Sequence, residues 1–279
     1  MEKNMFGQKI YYVDYTWKEL ETLDRSRVIV VLPSGSIEEH GPHLTMATDT
    51  VQAEQFSLRA ARQVKDVILL PALWYTTCVD TSNYTGTISI APSVFIEMVV
   101  GILTSLYRSG FRKIVIANVH GAAKTPLDVA IREFHARMGT PDRAYSDDCR
   151  IHLQNLYVPA VPYLNSLAEG RDWGHACEME TSVCLYLHPE YVNMDLAVDE
   201  FIPWDKGFEW YTGDMRAVNE SGVHGAPTKA SAEKGKKIVD AIVAAFTDIL
   251  KRFWAAGALR PGSRRAPEQL GARANAGEA

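Results

Sequence analysis

Five consecutive aliphatic residues, Val28 to Leu32, carry no charge and end at the breaker Pro33-Ser34-Gly35. A run so short and so apolar reads as a β-strand buried on both faces. Two more runs repeat the pattern, Asp66 to Leu73 (DVILLPAL) and Arg112 to Asn118 (RKIVIAN), and Arg150 to Val158 is a candidate fourth. Helical patterns alternate with them. Thr50 to Val64 places Val51, Phe56, Leu58, Ala61 and Val64 at apolar positions. The next helix begins at Ser93 as cap, with Glu97 in its first turn, and its apolar run Phe95 to Leu106 predicts a well-buried helix stopped at Gly110. Thr125-Pro126 opens another, to about Met138. This alternation predicts a single α/β domain, a three-layer α/β/α sandwich around a mostly parallel central sheet.

The flanks are simpler. An aromatic N-terminal segment (Tyr11, Tyr12, Tyr15, Trp17) leads into a short helix, WKELETLDR. A glycine-rich turn, Gly222 to Gly235, runs into a final helix from Ala230 to about Ala255. Between Pro189 and Asn219, Trp204, Phe208, Trp210 and Tyr211 follow no period and read as a loop-rich insertion over the site. The domain is expected to span residues 1–258. Residues 259–279, mostly Gly, Ala, Arg and Pro, cannot bury enough apolar surface to order themselves and read as a flexible tail.

Composition narrows the function. With 47% hydrophobic residues the chain has material for a core, and a net charge of -5 leaves no basic footprint for nucleic acid. No apolar run approaches the ~18 residues a membrane helix needs, and MEKNMFGQKIYY lacks a signal-peptide core. Cys78, Cys149, Cys177 and Cys184 form no CxxC pair and read as reduced thiols of a cytoplasmic protein.

Chemistry-bearing residues cluster just after the strands. Glu38, His40, His43 and Asp49 follow the first strand. Glu38 and His40 are two apart, so an extended backbone projects both to one face. Two carboxylates and an imidazole at the C-terminal end of a buried strand suit a divalent metal ion; a solvated polar loop is the other reading of that spacing. His120 falls at the end of the third strand, again where parallel sheets place ligands. In DWGHACEMETS, His175 and Glu178 are three apart and share a face if the helix has begun; Glu180 points elsewhere unless it begins later.

Read together, SIEEHGPHLTMATD, Gly86-Thr87-Ile88-Ser89, Asn118-Val119-His120-Gly121 and the Glu-Thr-Ser of DWGHACEMETS resemble, in order, the motifs of the creatininase family. The resemblance covers most of Val28 to Gly235. It implies a dinuclear centre of two divalent metal ions, Zn with Mn, Mg or Fe. Its ligands would be Glu38, His40, His120, Glu180 and a bridging Asp49. It implies an amidohydrolase-type reaction on a small-molecule substrate, in which a metal-bridging hydroxide attacks the carbonyl of a small cyclic or amide compound and His175 donates the proton. Asp172 and Trp173 match the family's substrate contacts. Glu178 joins His175 as a catalytic candidate, and it equally reads as the fifth ligand, as a partner orienting a ligand, or as a helix-face acid. His43 reads as a supporting or structural residue, and His135, His152, His188 and His224 match no motif. The family also implies a homo-oligomer, often a hexamer.

Departures from the pattern bear on the substrate. Ala122 stands where creatininase itself carries an acidic ligand, and Asp172-Trp173 reverses its Trp-Asp. Cys78, Asp80-Thr81 and Tyr84-Thr85 replace the usual Ser, Glu-His and Phe-Pro. Cys78 becomes a candidate substrate contact; as a nucleophile it lacks an obvious base. Two rival readings stand beside the amidohydrolase: hydrolytic C–C ring opening of a cyclic diketone such as an oxidised inositol, and an inactive metal-binding scaffold.

Overall fold

The computed structural model describes residues 2–140, 148–170, 172–202 and 214–256. Four strands, β1 (Ile29–Ser34), β2 (Val67–Leu69), β3 (Lys113–Asn118) and β4 (Arg150–Asn155), form one parallel sheet in the order β2-β1-β3-β4. Among the described residues, seven α-helices accompany them: α1 (Trp17–Thr22), α2 (Thr48–Ala61), α3 (Pro92–Arg108), α4 (Lys124–Arg137), α5 (Val161–Leu167), α6 (Glu178–Leu187) and α7 (Ala232–Ala255).

The two-residue period of a strand divides the core in two. Ile29, Val31, Val115 and Ala117 pack against Phe56, Val183, Ile242 and Phe246 of α2, α6 and α7. Val30, Leu32, Ile114 and Ile116 pack against Phe95, Leu103, Leu127 and Phe134 of α3 and α4. The result is three layers, α/β/α, with β1 and β3 buried along their whole length. Each fully buried aliphatic side chain there contributes about 1.5–3 kcal/mol. Lys113 is buried at the start of β3, and its Nζ donates to the carbonyls of Phe253 and Trp254 at the C-terminal end of α7.

The structure corrects three local expectations. β2 stops at Leu69 instead of Leu73, because the chain reaches Pro71, which has no N–H for a ladder. α3 starts at Pro92 with no side-chain cap, so Ser93 lies inside the helix; Glu97 lies past the first turn and pairs with Arg137. Nor is α3 buried all round: Phe95, Val99 and Leu103 face the core, while Val94 and Met98 are exposed. The aromatics expected over the site, Trp204, Phe208, Trp210 and Tyr211, and the C-terminal tail lie outside the described residues. No described helix is long and apolar enough to cross a membrane.

Candidate metal centre

The strand order decides where the chemistry gathers. From β1 the chain moves outward to β2, then crosses back to β3 on the other side of β1. Parallel sheets bind ligands at such a switch point, beyond the C-terminal strand ends. Ser34 and Asn118 are register partners at the ends of β1 and β3. Glu38 follows Ser34 by four residues and His120 follows Asn118 by two, so the two loops meet.

Asp49 arrives in the first turn of α2. Gly35 makes this possible: a Cβ there would stand 2.3 Å from the Cα of Thr50, so only glycine lets β1 and α2 approach this closely. The Ser36 hydroxyl donates to Asp49 Oδ2 at 2.9 Å, and Thr50 and Ser36 exchange two further bonds.

Asp49 stands between two histidines. Its Oδ1 lies 3.2 Å from His40 Nε2 and its Oδ2 lies 3.0 Å from His120 Nδ1. Glu38 Oε2 is also 3.0 Å from His120 Nδ1, and Thr81 donates to Glu38 Oε1 at 2.5 Å. On the other side, one ligand atom each of His40, Asp49 and Glu180 lies within 4.8 Å of the others. The far nitrogens of both rings face carbonyls: His40 Nδ1 that of Glu38 at 3.1 Å, His120 Nε2 that of Thr77 at 2.8 Å. That arrangement fixes a tautomer and frees the opposite nitrogen for a metal. Glu38, His40, Asp49 and His120 are each no more than 3% exposed.

The electrostatics follow from this crowding. Burial alone would lower the pKa of His40, but the Asp49 carboxylate, with Glu180 and Glu38 behind it, raises the value to about 10. His120 is likewise penalised by burial and raised by Glu38. Burial pushes Glu38 up, and His120 brings it down to about 2. Glu180 is raised, by burial first. A cluster of three carboxylates and two imidazoles thus demands compensating positive charge, which protons or divalent cations can both supply. The donor set is the oxygen-and-imidazole mixture that suits zinc and manganese.

α6 separates the two acids left open by spacing. It begins at Glu178, so His175 precedes the helix and shares no helical face with it. Glu178 and Glu180 are two helical residues apart, about 200° around the axis. Glu180 turns to the cluster, its Oε2 accepting the N–H of Ala176 at 2.7 Å. Glu178 turns the other way, fully buried, pairing with Lys234 of α7 and accepting the N–H groups of Glu169 and Gly170. The catalytic expectation for Glu178 therefore has no geometric support.

A cavity of about 280 Å³ opens onto the cluster, lined by Asp49, His120, Tyr157, Trp173, His175 and Glu180 among others. A larger groove, about 510 Å³, lies beside α4 and the end of β4, but no candidate ligand borders it. Two expected substrate contacts are absent from the cavity wall. Cys78 is fully buried behind His120, its Sγ 3.6 Å from Nε2. Asp172 faces His224 at 3.4 Å and accepts the N–H of Trp173. Trp173 does border the cavity, its Nε1 tied to Asn165 at 2.9 Å. Tyr157 and Thr81 were not among the expected site residues: Tyr157 lies just past the fourth strand, where ligands gather, and Thr81 lies in the loop that departs from the family pattern. His43 is packed behind the cluster against Thr181 at 2.8 Å, and burial, with His40 nearby, lowers its pKa to about 4.

Several known proteins are similar to this chain. The chain is 29% identical to 3-dehydro-scyllo-inosose hydrolase of Thermotoga maritima over 94% of its own length and 91% of the relative's. It is 26% identical to creatinine amidohydrolase of Pseudomonas putida (88% and 97%) and 29% identical to a mycofactocin precursor peptide peptidase of Mycolicibacterium smegmatis (81% and 85%). Its fold matches solved creatininases, a Zn-Zn form of a mutant with TM-score 0.74 and 23% identity and a Mn form with 0.73 and 24%, each over 88% of this chain and 99% of theirs. The sequence profile described as creatininase, creatinine amidohydrolase, matches residues 13–250, so the chain belongs to the creatininase family.

Proposed function

We propose that the protein is a metal-dependent hydrolase with a dinuclear centre, acting on the carbonyl of a small cyclic or amide substrate. One observation carries the reading: the two oxygens of buried Asp49 are divided between His40 and His120. One cation would be held by Glu38, His120 and one oxygen of Asp49, the other by His40, Glu180 and the remaining oxygen. When bound, two such ions supply Lewis acidity to the carbonyl and lower the pKa of a water. Zn with Mn, Mg or Fe is the proposed pair.

The protein's own groups do the rest. The buried floor limits water and so strengthens each electrostatic contact within it. Trp173 and Tyr157 wall the cavity with aromatic surface, and about 280 Å³ admits a small ring. His175 borders the same cavity, its ring 4.3 Å from that of His40, close enough to hand a proton to a leaving atom. Glu178 is assigned to the fold, as the partner of Lys234.

A second reading, C–C ring opening of a cyclic diketone, is favoured by the 29% identity to an inosose hydrolase across 94% of the chain. The scaffold reading is disfavoured by the cavity and by His175 on its wall. A homo-oligomer, a hexamer by resemblance, accords with the exposed apolar residues Tyr75, Ile88, Val94 and Met98; four buried free thiols accord with the cytoplasm. The test is a screen of cyclic amides and cyclic diketones with zinc- or manganese-loaded protein, run beside His175→Ala. Turnover of one class, lost in the variant with metal retained, supports the proposal and selects the reaction. A loaded protein that turns over neither class counts against it.

A further inference from the structure

Glu39 lies between two candidate ligands but turns away from both, to His175. The Nε2 of His175 is 2.8 Å from the Glu39 carbonyl oxygen and 3.1 Å from its Oε1. Two acceptors on one ring nitrogen require that nitrogen to carry hydrogen. The rest of Glu39 is held with equal care. Its Oε2 accepts the N–H of Gly41 at 2.9 Å, and its own N–H donates to Thr87 Oγ1 at 3.0 Å.

A turn closes over this pair. Gly222, at φ +76°, passes so near that a Cβ would stand 2.0 Å from Glu39 Oε2. Asn219 braces the turn, accepting from Gly222 N–H and donating to the Val223 carbonyl, both at 2.7 Å. The N–H of His224 donates to the His175 carbonyl at 2.8 Å. Nδ1 of His175 has no hydrogen-bond partner among the described residues and is not among the enclosed unpaired atoms, while the ring borders the cavity.

We propose that Glu39 is the positioning residue of His175: it keeps the ring's hydrogen on Nε2 and leaves Nδ1 to exchange a proton with the substrate. This rests on the reading of His175 as proton donor. Working through Nε2 would break both bonds and strand a carboxylate whose side chain is 6% exposed. In the step, the Nδ1–H bond breaks as a bond from that hydrogen to the leaving atom forms. The imidazolium becomes a neutral imidazole whose hydrogen stays on Nε2, still directed at the Glu39 carbonyl and side chain.

The test is proton–nitrogen correlation NMR on protein labelled with nitrogen-15 in its histidines, both zinc-loaded and chelator-stripped, with His175 assigned by its loss in His175→Ala. The neutral ring is expected to carry its hydrogen on Nε2, protected from solvent exchange. Glu39→Ala keeps the carbonyl but removes the carboxylate; its Nε2 hydrogen is expected to move upfield and exchange faster. Glu39→Gln, which retains an acceptor oxygen, is expected to keep part of that protection and serves if the Ala variant does not fold. A neutral ring with its hydrogen on Nδ1, or a resonance unmoved in Glu39→Ala, overturns the proposal. Failure of the wild type to take up zinc would instead sink the metal-hydrolase reading, and the stripped sample would still report the tautomer.

Discussion

Glu178→Ala removes a fully buried carboxylate that pairs with Lys234 and accepts two backbone N–H groups. Glu169 is exposed and Gly170 is half-buried, so water can replace much of what their N–H groups lose. The ion pair dominates the cost. Lys234 is 8% exposed but keeps the Glu169 carboxylate at 2.8 Å and the Lys229 carbonyl at 3.0 Å, so the loss falls at the low end of the about 3–5 kcal/mol that removing one partner of a buried pair costs. In a domain of this size 1 kcal/mol moves the midpoint by about 2–4 °C, so the expected fall is roughly 10 °C. The assay is thermal denaturation at one fixed zinc concentration, since bound ligand itself adds stability. The double variant Glu178→Leu, Lys234→Met is expected to lose less than the two single changes combined, because it leaves no buried charge behind, only the exposed Glu169 carboxylate. A Glu178→Ala protein that melts with the wild type but has lost its zinc or its activity would refute this assignment and return Glu178 to the site.

Three further outcomes follow from the geometry. His40 is held at about 10 and His120 well above its usual value, so both rings carry protons near neutral pH in chelator-treated protein. Metal ligation requires neutral rings, so zinc uptake should release about two protons and tighten as pH rises. Titration calorimetry in buffers of different ionisation heat reads this number, and a value near zero contradicts it. Gly35→Ala should lose soluble protein or zinc, because its Cβ meets the Thr50 backbone at 2.3 Å; normal yield and zinc content would show that β1 and α2 can separate. Cys78→Ser should keep its zinc, and the native thiol should react with a disulfide reagent only after unfolding, since Cys78 is fully buried.

Most of the architecture was legible because strands buried on both faces leave uninterrupted apolar runs. Val28 to Leu32 and Arg112 to Asn118 located β1 and β3 closely for that reason. Register was not legible: nothing local says that Ser34 would stand beside Asn118, and that pairing is what joins Glu38 to His120. Motif resemblance supplied those residues in its place. Where reading by analogy failed, the cause was three-dimensional. Cys78 stands where the family pattern usually has Ser, yet the backbone turns its side chain behind His120. Glu178 could be separated from Glu180 only once the first residue of α6 was known. Glu39, between Glu38 and His40, carries no signal of its own in the sequence; only the fold brings it to His175, 136 residues away.

Asp49, as proposed above, would be shared between two cations. The most direct test of this sharing is metal content per chain by elemental analysis, for the wild type and for Asp49→Ala, after identical loading with zinc. About two ions are expected in the wild type and a loss of both, or all but weak residual binding, in the variant. A wild type that binds no metal, or an Asp49→Ala protein that still holds two ions, would contradict it.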